Sequence, residues 1–351
     1  MIGVIIGKKE FKRIQSGTAK NEYLPAYVAF VNAYMTPVMF FVLNSGAVGE
    51  GKTRAVVFEP GGRRSEGILP LPNRVYCRSI LSPGQRELAQ QIQDKGITTV
   101  YQLQSKRERD KLRHMNILRK DRSGLFQVPE TKALSWQQLQ NMLRKHKKVI
   151  VKLRNGALGR RVYSISKTGT KYLLTSSRKG EMNKNVYTAA GLRRFFRQRK
   201  MQRKRWVVQQ YVAAKKQAGR TLECRFSVQK GETGEWMVAA KAIRLSRKGH
   251  FLTNVAQGAT AVPFSEAALQ AAAPGMEKKL NRASIQIARR LEKSLPVIDL
   301  GLDLMIDPDD RIWLIEANQK DQRLTYRYAG MEAEYRETFM NPLRYLLSRR
   351  H

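Results

Sequence analysis

Acid is what this chain most conspicuously lacks. Its 351 residues carry 28 Asp and Glu against 66 Lys and Arg, a formal net charge of +38. A folded chain with that imbalance attracts polyanions at low salt whatever else it does, so the charge names a class of partner and no mechanism. Cysteine is nearly absent: Cys77 and Cys224 alone exclude a disulfide scaffold and a Cys-rich zinc site, and suit a reducing compartment. The four histidines, His114, His146, His250 and His351, are scattered. The lack of an HExxH or HxxxH pair argues against a zinc hydrolase. Long apolar runs are missing too. The opening MIGVIIGKKEFKR is too short in its apolar part for a signal peptide. The uncharged stretch 23–49 is interrupted by Asn32, Thr36, Pro37 and Asn44. It reads as a buried helix followed by a strand over 38–43 rather than as a membrane span. The expected location is cytoplasmic.

What is present is enough apolar residue, 42%, for true hydrophobic cores, which argues against a disordered polycation. The length predicts two or three domains, with no repeat and no low-complexity linker between them. Apolar runs at 2–6, 38–43 and 55–60 read as strands, and 84–95 and 106–119 as helices, so the first region is expected to be α/β with an open sheet. A Gly- and Pro-punctuated loop covers 121–134. A helix at 135–146 follows, with strands at 148–153, 161–166 and near 171–175. Further strands are expected at 206–212, 221–230 and 235–245, and a helix at 265–293 that Pro274 and Gly275 break near its start. A hairpin at 297–307 and 311–318 and a last helix at 331–348 complete the chain. The second half lacks a βαβ rhythm and reads as α+β.

Between residues 188 and 205 lies a basic segment read as helical. Arg193, Arg194, Arg197, Arg199, Lys200, Arg203, Lys204 and Arg205 put eight positive charges into thirteen residues. It is either a solvated helix face or a docking surface for a phosphate- or carboxylate-rich polymer. Phe195, Phe196 and Trp206 are not spaced as a base-stacking platform.

The acids that do exist are concentrated: ten of the 28 fall within residues 299–337. In the segment Val297 to Asp307, alternation puts Leu300, Leu302, Leu304 and Ile306 on one face and Asp299, Gly301, Asp303, Met305 and Asp307 on the other. Pro308, Asp309 and Asp310 supply a turn, and the return strand carries Glu316 and Asn318 on one face. Pairing across so short a turn sets Asp303 opposite or diagonal to Glu316. Two like charges so placed need a cation between them, and Mg²⁺, which takes one or two carboxylates and substrate phosphates, suits the donors. The alternative is a surface hairpin whose acids balance nearby arginines.

These residues resemble a known arrangement. Asp303, Glu316 and Asn318 are similar to the metal-binding D…ExN pattern of the ATP-grasp superfamily. Lys152, closing Val149-Ile150-Val151-Lys152, resembles its phosphate-contacting lysine, and Lys111 a second one. The turn with Gly156 and Gly159 stands where that superfamily has its glycine loop. More narrowly, the chain resembles the YheC/YheD family of endospore-coat-associated proteins. The resemblance rests on Pro129-Glu130-Thr131, Gln209-Gln210-Tyr211, Gly219-Arg220 with Glu223 and Arg225, Arg244, Thr253-Asn254 and Gly258. It departs from the usual pattern at Ala157 and Arg161 in the glycine loop, at Leu153 after the lysine, at Glu223 in place of Asp and at Ala259 after Gly258. After Asn318 the chain reads Gln-Lys-Asp-Gln-Arg.

The resemblance implies an N-terminal α/β region, residues 1–122, followed by an α+β ATP-grasp fold whose two subdomains, 123–212 and 213–351, clasp ATP. It implies that Lys111, Lys152, Gly156, Gly159 and Arg161 hold phosphates. Gln209, Gln210, Tyr211 and Val212 would line the adenine pocket, with Asn254 also at the nucleotide. Asp303, Glu316 and Asn318 would bind Mg²⁺, and Arg225 and Arg244 would face the γ-phosphate or an acyl-phosphate. Three functions follow. One is ATP-dependent joining of an unidentified carboxylate to an amine. Another is nucleotide binding without turnover in a structural or morphogenetic coat role. The third is binding of an acidic polymer; against its nucleic-acid form, no nucleic-acid module is recognisable. In a spore former the location would be the mother cell or the spore coat.

Overall fold

A computed structural model describes residues 1–100, 107–156, 161–178, 181–201, 205–265 and 273–349. Within them lie three sheets. The first joins β1 (Ile2–Ile5), β2 (Val38–Phe41), β3 (Lys52–Phe58), β4 (Arg64–Pro70), β5 (Arg74–Cys77) and β6 (Thr98–Val100) in the order β4-β3-β2-β1-β5-β6. β1 runs parallel to β2 and to β5, and β5 to β6, while β3 and β4 are antiparallel additions. All four residues of β1 and all four of β2 are buried, as expected of a parallel sheet covered on both faces. On one side lie α1 (Lys8–Gln15) and α2 (Leu24–Tyr34), and on the other α3 (Ser45–Gly49) and α4 (Pro83–Asp94), each side with its own apolar core. α2 and β2 fill the uncharged stretch, as expected. Among the described residues, no helix is long and apolar enough to cross a membrane.

The second sheet, order β11-β10-β9-β8-β12-β7, is built from β7 (Thr131–Ala133), β8 (Lys148–Leu153), β9 (Tyr163–Thr168), β10 (Lys171–Arg178), β11 (Glu181–Tyr187) and β12 (Trp206–Gln210). Its pairs are antiparallel. α6 (Trp136–His146) and α7 (Ala189–Gln198) pack on one face around Leu139, Leu143, Val149, Val151 and Leu192. The period of two in β8 therefore sends Val149 and Val151 into this core and Ile150 and Lys152 to the opposite face.

The basic helix is shorter than the sequence suggests. It stops at Gln198, and residues 202–204 lie outside the described residues. Its Arg193, Arg194 and Arg197 are exposed, as is Arg199 just past its end; Arg193 also lies over the Trp136 ring at 4.6 Å and Arg199 over the Phe195 ring at 5.3 Å. The aromatics serve packing: Trp206 is buried.

The third sheet runs β16-β15-β14-β17-β18, with β13 (Lys216–Gln217) attached to β14. Its members are β14 (Arg220–Lys230), β15 (Trp236–Leu245), β16 (Thr260–Pro263), β17 (Asp299–Ile306) and β18 (Ile312–Asn318). α8 (Met276–Glu292) covers its apolar face through Leu280, Ala283, Ile287 and Leu291. Gly275, at φ +74°, caps α8, so the break expected at Pro274-Gly275 is its start; residues 266–272 lie outside the described residues. α5 (Lys111–Leu118) puts Met115 and Leu118 into the same core, with Phe126. The segment placed by the sequence at the end of an N-terminal region, up to residue 122, is thus built into the C-terminal lobe. α9 (Leu324–Tyr328) and α10 (Glu332–Ser348) then return to the first domain, where Tyr335, Phe339 and Leu343 join the core around Tyr27 and Phe30.

Candidate nucleotide and metal site

The hairpin β17–β18 has the alternation read from its sequence. Leu300, Leu302 and Leu304 are fully buried and Ile306 nearly so, on the α8 side. Asp303 pairs directly with Glu316, and Gly301 with Asn318. Asp303 is also the cross-strand partner of Arg225, and Glu223 of Arg244. The sheet's other face therefore presents three acids, an amide and two arginines side by side. Arg225 and Arg244 both bond one oxygen of Asp303. Burial alone would raise the Asp303 pKa; the two guanidiniums outweigh it and hold the carboxyl below its ordinary value. Arg244 also bonds Glu223, whose pKa burial pushes up to about 7 against the pull of Arg244.

Gly301 has a steric reason to be glycine. A Cβ there would collide with the Arg225 guanidinium and the Asp321 carboxylate. Arg225 crosses the strand over that gap and reaches Asp321 at 2.7 Å.

Above this face stands the second sheet. Lys152, 6% exposed, projects from β8, with its Nζ 3.4 Å from the Ile315 carbonyl. Burial lowers its pKa to about 8, with Glu316 acting in the opposite sense. Lys111, the first residue of α5, donates to the Gly156 carbonyl at 2.7 Å and lies 3.0 Å from Glu316. Asp110 caps α5 and pairs with Arg154, and the Lys111 amide donates to the Arg154 carbonyl at 3.2 Å. The turn after Lys152 is thereby fastened to the start of α5.

These side chains line one cleft of about 360 Å³. Of the residues singled out in the sequence, it brings together Lys111, Lys152, Gly156, Arg225, Arg244, Asn254, Asp303, Glu316 and Asn318. Arg161 is exposed at φ +56° and does not line it. Gly159 lies outside the described residues.

The expected adenine hinge is likewise away from the lining. Gln209 is buried and donates to Thr131 Oγ1 at 2.9 Å. Gln210 accepts from the Glu130 amide, and the Gln210 and Tyr211 amides donate to the Glu130 and Lys148 carbonyls. These groups tie the hinge to the Pro129-Glu130-Thr131 segment because a buried polar group needs a partner. Val212 instead joins Ala214 and Met305 in a small apolar cluster against Trp313 and Ile315.

Sequence reasoning passed over part of the lining. His114 sits one helical turn after Lys111, its Nε2 against the Glu108 carbonyl, and burial lowers its pKa. Arg109, Gln319, Lys320, Gln322 and Arg323 extend the cleft, and Ile80 and Tyr328 border it. The stretch after Asn318 was visible as a departure from the family pattern. Nothing in its order said that it turns back into the cleft.

The donors suit Mg²⁺: two carboxylates and an amide oxygen, all hard ligands, at the edge of a cleft rich in cations that suit phosphate. Among the described residues no group of three His, Cys, Asp or Glu side chains forms a self-sufficient metal site.

A family model described as YheC/D like ATP-grasp matches residues 101–348. The endospore coat-associated protein YheD of Bacillus subtilis (strain 168) is 26% identical over 291 residues, covering 80% of this chain and 64% of the relative. YheC of the same organism is 27% identical over 203 residues, covering 56% of this chain and 55% of the relative. The chain thus aligns to less than two thirds of either relative's length. Among solved structures, the macrocyclase MdnC bound with precursor peptide MdnA, from Microcystis aeruginosa MRC, superposes with a TM-score of 0.53 at 12% identity, covering 97% of this chain and 99% of that one. The D-cycloserine synthetase DcsG does so with 0.54 at 11%, covering 97% and 99%. PsnB, an ATP-grasp ligase solved with minimal precursor, Mg and ADP, gives 0.52 at 12%, covering 96% and 97%. At these identities the likeness is one of fold.

Proposed function

The chain belongs to the YheC/D-like ATP-grasp family, and from that premise we propose that it binds Mg²⁺-ATP between its second and third sheets and joins a carboxylate to an amine. The observation that carries the reading is the convergence of Lys111 and Lys152 from one side, and of Asp303, Glu316 and Asn318 from the other, on one cleft. Lys152 and Lys111 would take ATP phosphates. The base would lie toward Val212, Met305 and Ile315, an apolar cluster next to the Lys152–Ile315 contact. Asp303, Glu316 and Asn318 would hold Mg²⁺, which when bound neutralises charge on the phosphates.

In the reaction proposed, a carboxylate oxygen of the substrate bonds the γ-phosphorus as the bond to the β-phosphate oxygen breaks, releasing ADP. An amine then attacks the acyl carbon; the carbon–nitrogen bond forms, inorganic phosphate leaves and the nitrogen loses a proton. Arg225 and Arg244, braced by Asp303, Asp321 and Glu223, face that end of the cleft as fixed positive charge for the transferring group. A product on the spore coat, and a location in the mother cell or coat, would follow from the coat-associated relatives. Coat components or an acidic polymer are then the partners to seek.

One observation favours a second reading, nucleotide binding without turnover. The Lys111 ammonium, the Gly156 carbonyl and Glu316 already satisfy one another, so the described part of the glycine turn is fastened in place. The deciding experiment is calorimetric titration of ATP into the purified protein, with and without Mg²⁺, at moderate salt to suppress non-specific anion binding. The Glu316→Gln variant is titrated beside it. Mg²⁺-dependent binding that the variant loses supports the site. Binding indifferent to Mg²⁺ and to the variant, and fading with salt, sinks it and leaves polyanion attraction by the +38 charge.

A further inference from the structure

The basic segment takes no part in the cleft, and the fold gives it a place of its own. α6 lies over β8 and β12, and α7 over β10 and β11. Both pack on the face of the second sheet that holds Val149 and Val151, so they stand on the far side of that sheet from Lys152. Residues 123–212, which build this unit, carry 22 Lys and Arg against two Asp and Glu. More than half of the net charge of +38 thus falls on about a quarter of the chain.

The two acids do not neutralise the helices. Glu130 accepts from Lys145 at 2.9 Å and His146 at 3.0 Å beside the hinge, and Glu181 opens β11 opposite Arg178. On α7 and just past it Arg193, Arg194, Arg197, Arg199 and Lys200 are exposed, and on α6 so is Arg144. Among the described residues the ion pairs of these two helices go to Glu130 alone, from Lys145 and His146. An ordinary solvated helix mixes its charges. α8 sets Glu277 against Lys241 and Glu292 against Lys230, and α10 sets Glu337 against Arg344. Neither α6 nor α7 holds an acid. Arg193 of α7 lies over the Trp136 ring of α6 at 4.6 Å, joining the two helices into one face. Cations gathered this way repel one another, and a bound polyanion relieves that repulsion.

The chemistry of the occupant follows from what the face lacks. Protein partners are anchored by apolar and aromatic side chains at the centre of an interface, and no large apolar side chain is exposed on α6 or α7. A membrane-surface helix sinks its apolar face into lipid; that of α7, Leu192 with Phe195 and Phe196, is packed against the second sheet. Single-stranded nucleic acid calls for aromatic rings on which bases stack, and these rings are turned inward. What remains is binding by charge alone to a regular array of phosphates. Duplex DNA is held in that way when its sequence is not read, and no groove-reading module is needed. Five of the six exposed cations are arginines, whose planar forks suit phosphate oxygens.

We propose that the outer face of α6 and α7 is a sequence-independent docking surface for duplex DNA, held by its phosphates on the opposite side of the second sheet from the nucleotide cleft. The inference does not rest on the nucleotide reading.

The test compares two variants of the full chain that have the same net charge. The face variant combines Arg144→Gln, Arg194→Gln, Arg197→Gln and Lys200→Gln. The control combines Lys278→Gln, Lys279→Gln, Arg282→Gln and Lys293→Gln, all exposed on or just past α8. Binding of a fluorescein-labelled, random-sequence duplex of about 24 base pairs is read by anisotropy across about 50–200 mM KCl. Each cation that meets a phosphate contributes about 0.9 to the slope of log affinity against log salt. The face variant is therefore expected to lose about 3 from the wild-type slope, and at least about tenfold in affinity at the middle of that range. The control is expected to keep the wild-type slope to within about 1. Thermal melting of both variants shows that they are folded. Equal losses in the two variants mean that net charge alone attracts the duplex, and an unchanged face variant means that it binds elsewhere; either overturns the proposal. Poly-glutamate and phosphatidylglycerol vesicles are the competing probes, and neither is expected to displace the duplex from wild type at equal concentration of charge. Displacement by the first assigns the face to an acidic polypeptide and by the second to a membrane, and each overturns the assignment to DNA.

Discussion

Lys111 stands between the turn after β8 and Glu316: its ammonium lies 3.0 Å from the Glu316 carboxylate and donates to the Gly156 carbonyl at 2.7 Å. One cation thus occupies the position from which both a phosphate and a divalent ion would be approached. It compensates Glu316, whose cross-strand partner Asp303 is another acid.

Removing that cation should push two affinities in opposite directions. In Lys111→Met the free protein loses a competitor for Glu316, so Mn²⁺ titrated alone, followed by its electron paramagnetic resonance, should bind several-fold tighter than to wild type. Mg²⁺-ATP should bind about tenfold weaker, because a charged phosphate contact is gone. If both affinities fall together, Lys111 does not compete with metal for Glu316.

Gly301 is expected to be intolerant of even one methyl group. In Gly301→Ala the new Cβ would enter the space of the Arg225 guanidinium and the Asp321 carboxylate. Moving them loosens a fully buried ion pair, in a strand where alanine is otherwise acceptable. Overpacking of this kind costs about 1–3 kcal/mol. Chemical denaturation of the variant reads it, and a change below about 0.5 kcal/mol would show that Arg225 has room to move.

The hinge carries a pH dependence of defined sign. Hydrogen bonds from Lys145 at 2.9 Å and His146 at 3.0 Å hold the Glu130 carboxyl down to about 2. Burial acts weakly the other way. A carboxyl lowered in the folded state contributes stability that is present above its unfolded value, and that is lost as pH falls toward the folded one. Glu130→Gln should therefore melt lower than wild type at pH 6. The gap should close as pH drops from about 4.5 toward 2. A gap that stays constant across that window would mean that Glu130 acts through shape rather than charge.

How much of this was legible follows from where period and chemistry coincide. In β17 alternation was strict and the acids sat on one face, so the pairing of Asp303 with Glu316 could be read from the turn. Lys152 was legible because a run of β-branched residues ends on it. β4 and β11 were not: both are largely exposed edge strands, without an apolar face to give a period. Nor was the fate of Gln209 and Gln210. Their amides are consumed by a segment some eighty residues earlier, a long-range pairing that spacing does not encode. The packing of α5 was not legible for a related reason. α5 has an ordinary amphipathic pattern, and nothing local says that Met115 and Leu118 face α8 rather than the first sheet.

The clamp between the first domain and the third sheet should be the most sensitive point outside the cleft. Asp299, fully buried, receives Arg323, the Tyr76 hydroxyl at 2.9 Å and Gln229 at 3.0 Å, and Arg78 lies 3.6 Å away. Arg78 pairs in turn with Glu22, which also accepts from Tyr27 at 2.6 Å. Two buried arginines thus depend on one carboxylate of β17 and one of the first domain. Asp299→Asn keeps the shape and removes the charge, leaving Arg323 with an uncompensated buried guanidinium. Breaking a buried pair from one side costs about 3–5 kcal/mol. Because Tyr76 and Arg78 belong to the first domain, the loss should appear first as faster amide exchange in β1 and β5, ahead of β14. Uniform exchange in all three strands would show that the domains unfold as one unit and that Asp299 is not their clamp.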